Sequence, residues 1–324
     1  MQKHWYTDPI LFGVFTTWSL AFVFIKISLS PDGGFSPFSF VWLRMLLSAA
    51  VLFALLPLLG EPFREPWDKI KKTFVIGAVG LGLYHLLFTY ALSLTTPVDT
   101  ALIIGTGPVM TALWMPVFGM ERSGRRAWLG IAICFASVAA IAVYGAATGK
   151  SAQAGWDTNR LIGDGIMLAA SNCWALNGIF CRRVLPFLPP VTITAWACVW
   201  ATLVLTPFCA YSMFAQDWSA VSLVKGWGGF AWAVLPASTL SIVFYYFGVK
   251  SVGPLHTIIY QNVSPIITAL IVLVMFREIP SVVQIVGVFT IFFGVWLTRT
   301  SKHVGPADAK AAQEGDEDAT LESE

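Results

Sequence analysis

Ten apolar runs, each about long enough to cross a bilayer, follow one another along this chain with only short polar or Pro/Gly breaks between them. A spanning helix needs roughly 20 apolar residues. The runs fall at residues 9–29, 37–59, 73–94, 97–118, 127–147, 162–184, 190–211, 227–250, 254–276 and 281–298. They predict an all-α polytopic membrane protein with ten transmembrane helices. With 56% hydrophobic and 12% charged residues in 324 and a mean hydropathy of +0.72, the composition fits no water-soluble surface and leaves no room for a soluble catalytic domain. The first run is longer than a signal-peptide core and lacks a small-residue cleavage site, so it reads as a retained span.

Charge sets the orientation. With the N-terminus in the cytoplasm, the inside segments hold 14 basic residues, among them Arg64, Lys69, Lys71, Lys72, Arg122, Arg125 and Arg126. Outside stand Lys150, Arg160, Lys225 and Arg277, with Lys26 at a span end. The positive-inside rule then puts both termini in the cytoplasm of a cell bounded by this membrane, the cytoplasmic (inner) membrane. From Ala307 the tail carries seven acids against one lysine and no apolar periodicity, which predicts a disordered cytoplasmic tail over 301–324. The net charge of +2 lacks the basic clustering that nucleic acid requires. Cys134, Cys173, Cys181, Cys198 and Cys209 sit in apolar runs without metal or redox spacing, so neither a metal nor another cofactor is expected.

The chain also repeats itself. An offset of 157 residues superimposes Pro97 on Pro254, Pro108 on Pro265, Thr111-Ala112-Leu113 on Thr268-Ala269-Leu270 and Glu121 on Glu278; an offset of 156 puts Trp18 on Trp174. This divides the chain into a first five-helix repeat (1–147), a loop (148–160) and a second repeat (161–300). Because five is odd, the second copy enters from the opposite side, an inverted repeat of the kind common in secondary transporters.

The paired modules, Trp42-Leu43-Arg44, the segments PVDTALIIGTGPVMTALW and PLHTIIYQNVSPIITALI, and the glutamate closing the fourth and ninth spans resemble the drug/metabolite transporter superfamily in its EamA-domain branch. The resemblance covers about residues 9–298. It implies ten helices around a central cavity with the fifth and tenth packed peripherally, and a small-molecule substrate, often an exported amino acid or metabolite, although importers occur too.

Several residues stand out as a candidate substrate cavity. Arg44 lies about seven residues into its span, where a charge is costly unless paired or wet. It reads either as a substrate-carboxylate ligand or as a structural arginine. His85, beside Tyr84, is the proton-coupling candidate, against a neutral histidine in a packed bundle. Trp18, Trp174, Asn177, Tyr260, Gln261 and Asn262 offer aromatic faces and amides for an amphipathic solute. Pro108 and Pro265, with Gly105 and Gly107, break the fourth and ninth spans at mid-depth, freeing the carbonyls of Ile104 and Gln261 and suggesting hinges. Glu121 and Glu278 read as helix-end pairs with Arg122 and Arg277 or as gate pins. Gly130 and Ser137, matched by Gly287 and Gly294, form small-residue faces for close helix packing, with homodimerisation as the alternative use. No Walker A sequence occurs, and no nucleophile, paired acids or metal cluster supports a membrane-embedded enzyme; a receptor or scaffold without flux is the other rival.

Overall fold

The computed structural model describes residues 7–119, 122–148, 157–277, 279–300 and 303–304. Glu121, Glu278, most of the loop between the halves and the acidic tail lie outside them. Ten helical stretches follow in chain order. The first half holds α1 (Thr7–Ser28), α2 (Pro37–Leu55), α3 (Trp67–Leu94), α4 in two pieces (Pro97–Ile104 and Gly107–Trp114) and α5 (Arg125–Thr148). The second holds α6 (Thr158–Val184), α7 (Pro190–Ala215), α8 (Leu223–Val252), α9 in pieces (Pro254–Ile259, Tyr260–Asn262 and Val263–Phe276) and α10 (Val282–Thr300).

The protein is an all-α polytopic membrane protein. Among the described residues α1, α2, α3, α5, α7 and α8 are each long and apolar enough to cross a bilayer. Three of the others differ for visible reasons: α4 and α9 are broken where prolines were expected to break them, and α6 carries Arg160, Asp164, Arg182 and Arg183.

Helix starts follow local chemistry. Ser36, Thr96, Asp157 and Ser222 each accept a bond from the backbone N–H three residues on, capping α2, α4, α6 and α8. Prolines at the first helical positions of α2, α4, α7 and α9 need no N–H partner. The Asp157 cap starts α6 at Thr158, earlier than the apolar run at 162, and so draws Arg160 into the helix.

Two sets of cross-links mark two ends of the bundle. At one end Lys225 of α8 meets Asp32 of the α1–α2 loop (2.6 Å), Gln216 bonds Ser36 and Gly34, and Lys26 donates to the carbonyls of Leu92 and Ser93 at the end of α3 (2.9 Å each). The Lys225 ammonium holds the exposed Asp32 carboxyl below the usual carboxylate range, although a screened surface pair adds little stability. At the other end Tyr260 donates to Asp8 (2.6 Å), Arg183 to the Phe118 carbonyl (2.8 Å), and residues 122–123 pair antiparallel with 303–304. Starts of even-numbered helices lie at the first end and starts of odd-numbered helices at the second, as a chain that alternates direction requires.

Helices matched by the repeat meet antiparallel. Along α2 and α7 the contacts run Ser39 to Ser212, Trp42 to Thr206 and Phe53 to Trp196. Along α5 and α10, Gly130 backs on Gly294, Ser137 donates to Thr290 (2.8 Å) and Ile141 lies against Gly287. The small-residue faces of α5 and α10 therefore serve packing within one chain, while their far sides expose Trp128, Leu129, Phe289 and Trp296. A Cβ on Gly130 would overlap the Gly294 carbonyl, backbone that cannot rotate away. Gly130→Leu is expected to cost about 1–3 kcal/mol by overpacking. The measurement is thermal unfolding in detergent, where an unchanged melting temperature would contradict the close approach.

Candidate functional site

Arg44 of α2 is 3% exposed, and its Nε donates to Ser238 Oγ of α8 at 2.7 Å, while Nη1 has no partner among the described residues. A charge this deep needs acceptors for its remaining donors. Around it lies a cavity of about 20 Å³ lined by Trp18, Phe22, Tyr84, His85, Phe88 and Ile242 among others. That volume admits roughly one water, so a larger solute enters only if the walls part.

Aromatic rings make those walls. Trp18 meets Trp174 edge-on (5.1 Å), Trp174 lies 4.8 Å from Tyr84 and 4.9 Å from Tyr245, and Tyr84 contacts His85 (4.7 Å). Trp18 Nε1 donates to the Ala237 carbonyl (2.9 Å), tying α1 to α8. His85 Nδ1 lies 2.8 Å from the Leu81 carbonyl. A carbonyl only accepts, so Nδ1 carries a hydrogen and the ring is anchored to its own helix.

Of the residues singled out in the sequence, Trp18, Arg44, Tyr84 and His85 line this cavity, and Trp174 packs against Trp18 and Tyr84. Asn177 packs behind the wall, accepting from Tyr246 (2.9 Å) and pressing on Gly80. Tyr260, Gln261 and Asn262 do not line the cavity: they form the tight turn inside α9, with Tyr260 turned to Asp8. Tyr245 and Tyr246, both fully buried, were not legible as site residues because they stand in an evenly apolar run.

The two broken helices cross at their breaks. Gln261 Nε2 donates to the Ile104 carbonyl at 2.7 Å, the carbonyl that Pro108 frees, and Gly105 backs on the Pro265 ring. Ile104 and Gln261 are themselves equivalent under the 157-residue offset. Leucine at 261 leaves a buried carbonyl unpaired, at about 1–3 kcal/mol. Gln261→Leu is expected to lower the melting temperature accordingly, and wild-type melting would show that the bond is dispensable.

A second matched pair was invisible in the sequence. Residues Ile76–Leu83 of α3 and Ala233–Leu240 of α8 are both π-helical, and the same offset of 157 carries one onto the other. Tyr84 and His85 follow directly on the first; Ala237 and Ser238, the partners of Trp18 and Arg44, belong to the second. Wide turns of this kind recur at functional sites.

The family model of the EamA-like transporter family matches residues 6–143 and again 161–300. The chain belongs to that family. Among its relatives, the uncharacterized transporter YyaM of Bacillus subtilis (strain 168) is 26% identical over 268 residues, 81% of this chain and 84% of its own. An uncharacterized transporter of Archaeoglobus fulgidus is 25% identical over 289 residues, 88% of this chain and 94% of its own. One crystal structure superposes with a TM-score of 0.61 at 21% identity, covering 91% of this chain and 98% of that one, which shows a shared fold. Family and relatives make this a membrane transporter.

In this EamA-family protein the polar residues that sequence reasoning missed lie at the end where the even-numbered helices begin. Asp99 in the first turn of α4 is fully buried, and its Oδ2 accepts from Arg160 Nε (2.8 Å) and Nη2 (2.5 Å) of α6. Its Oδ1 accepts from Gln284 Nε2 of α10 (2.8 Å). Asp164, one turn beyond Arg160, takes a bond from Thr95. The signal was the Arg160/Asp164 spacing, which puts both on one helical face.

Proposed function

We propose that this protein is a secondary transporter carrying small carboxylate-bearing metabolites, amino acids foremost, across the cytoplasmic membrane by alternating access, with export favoured. In this reading all ten helical stretches cross, both termini are cytoplasmic, and residues 1–147 and 161–300 are inverted halves. The observation that carries it is Arg44: a buried guanidinium in an aromatic-walled cavity, held from one side by Ser238 and with a donor left over. Guanidinium and carboxylate match in geometry and charge. Aromatic walls suit the apolar part of an amphipathic solute.

The antiparallel meeting of α2 with α7, α4 with α9 and α5 with α10 supports two opposed halves that exchange roles. The crossing of α4 and α9 at Gly105, Gly107, Pro108 and Pro265 is the pivot in this account, because backbone freed there is re-paired by side chains rather than by the helix. The cavity bears on the same point: at about 20 Å³ it cannot hold an amino acid until one side opens. Export rests on the family resemblance alone. The carboxylate assignment is tested by ligand-dependent thermal stabilisation in detergent. Amino acids are expected to raise the melting temperature where the matching amines, lacking the carboxylate, do not; equal responses to both would overturn it.

A further inference from the structure

The strongest unassigned group outside the cavity is Asp164. It is 1% exposed; Oδ1 accepts from Thr95, and Oδ2 has no partner among the described residues. Among the described residues the neighbouring charges are engaged elsewhere. Arg160 directs both Nε and Nη2 to Asp99, whose other oxygen is taken by Gln284. Asp157 stands at the helix cap, bonded to the Arg160 backbone N–H. Lys26 of α1 is committed to the carbonyls of Leu92 and Ser93 at the end of α3, and the Arg160 guanidinium lies against Gly145 of α5. Among the described residues this cluster thus holds two buried carboxylates, and the guanidinium beside them is already paired with Asp99. A second buried carboxylate without a cation is costly, whereas a neutral carboxyl is far less so.

We propose that Asp164 is a proton-binding site that couples transport to a proton gradient, with the proton on Oδ2. This rests on the transporter reading above and moves the coupling from His85 to the end of the bundle. The step is simple: a hydronium ion at that end gives up one O–H bond as Oδ2 forms one, leaving a neutral carboxyl and water, and release is the reverse. Thr95 closes α3 onto α4, Asp99 opens α4, Arg160 and Asp164 begin α6, and Gln284 begins α10, so the cluster fastens four elements together. Protonated, Asp164 lets them pack. Ionised, it sets a second negative charge beside Asp99, which favours parting of the helices and entry of water.

Two measurements test this on the full chain. Infrared difference spectra of the purified protein, with no solute added, should show a carboxylic-acid C=O band near neutral pH that shifts in D₂O and is missing from Asp164→Asn. In proteoliposomes, the ratio of gradient-driven accumulation to counterflow is expected to fall at least tenfold in Asp164→Asn and in Thr95→Val, but not in His85→Gln. Absence of the band in wild type overturns the proposal, as does a band that survives in Asp164→Asn or disappears on adding sodium at constant pH. Loss of gradient response in His85→Gln with retention in Asp164→Asn overturns it equally. Because the spectrum needs no flux, absence of counterflow in wild type would count against the transporter reading and leave the spectrum to decide the proton site.

Discussion

Arg44→Gln is expected to abolish measurable exchange of carboxylate solutes while leaving the protein folded. Glutamine keeps a donor for Ser238 but removes the charge and the free Nη1. A hydrogen bond to a charged group is worth about 1.5–3 kcal/mol, so affinity should drop about ten- to hundredfold or more. Arg44→Lys keeps the charge and loses the planar fork, and should recover only part of the affinity. Solutes lacking a carboxylate separate the two roles of this arginine. If Arg44 only holds α2 to α8, every solute and the melting temperature suffer together; if it binds the carboxylate, the loss is selective. Exchange unchanged in a folded Arg44→Gln protein would remove Arg44 from the site.

The largest loss of stability is expected from breaking the pair between Asp99 and Arg160. Asp99 has no exposed side-chain surface and Arg160 has 16%. Removing one partner of a buried pair strands the other, at about 3–5 kcal/mol. Arg160→Leu strands the Asp99 carboxylate in a packed site beside Asp164, and should melt far below wild type in detergent. Asp99→Leu combined with Arg160→Leu should recover much of that loss, because no stranded charge remains on either residue. Equal melting of Arg160→Leu and wild type would show the pair to be solvated.

How much of this could be read from the sequence depends on which physical signal each element leaves. Apolar runs and Pro/Gly punctuation located the helices long enough to cross a bilayer, because apolar character is written residue by residue. The breaks at Pro108 and Pro265 were legible for the same kind of reason, since proline lacks the N–H wherever it stands. That their breaks meet through Gln261 and Ile104 was not, because a tertiary hydrogen bond leaves no local trace. The π-helical segments of α3 and α8 escaped because Ile76–Leu83 and Ala233–Leu240 share only their final leucine under the offset. Asp99 and Asp164 were passed over because both lie near span ends, where acids are ordinarily solvated. The Asp157 cap, by starting α6 at Thr158, brings Arg160 into the same helix as Asp164.

Among the cavity residues, Arg44 was legible as an intramembrane charge and Trp18 with Trp174 through the repeat. His85 stood out for its chemistry, yet its ring is anchored to the Leu81 carbonyl, and Ser238, which holds Arg44, is one serine among many. Glu121 and Glu278 lie outside the described residues, so the gate role read from their symmetry stays with the sequence.

The central claim is that two opposed halves carry a solute by exposing one site alternately to each side, and counterflow in proteoliposomes measures it most directly. With an unlabelled amino-acid and metabolite pool inside and trace label outside, and no ion gradient, labelled carboxylate solute should accumulate transiently above its external concentration, and should fail to do so with Arg44→Gln. No accumulation of any solute by protein shown to be folded would contradict the account and favour a receptor or scaffold.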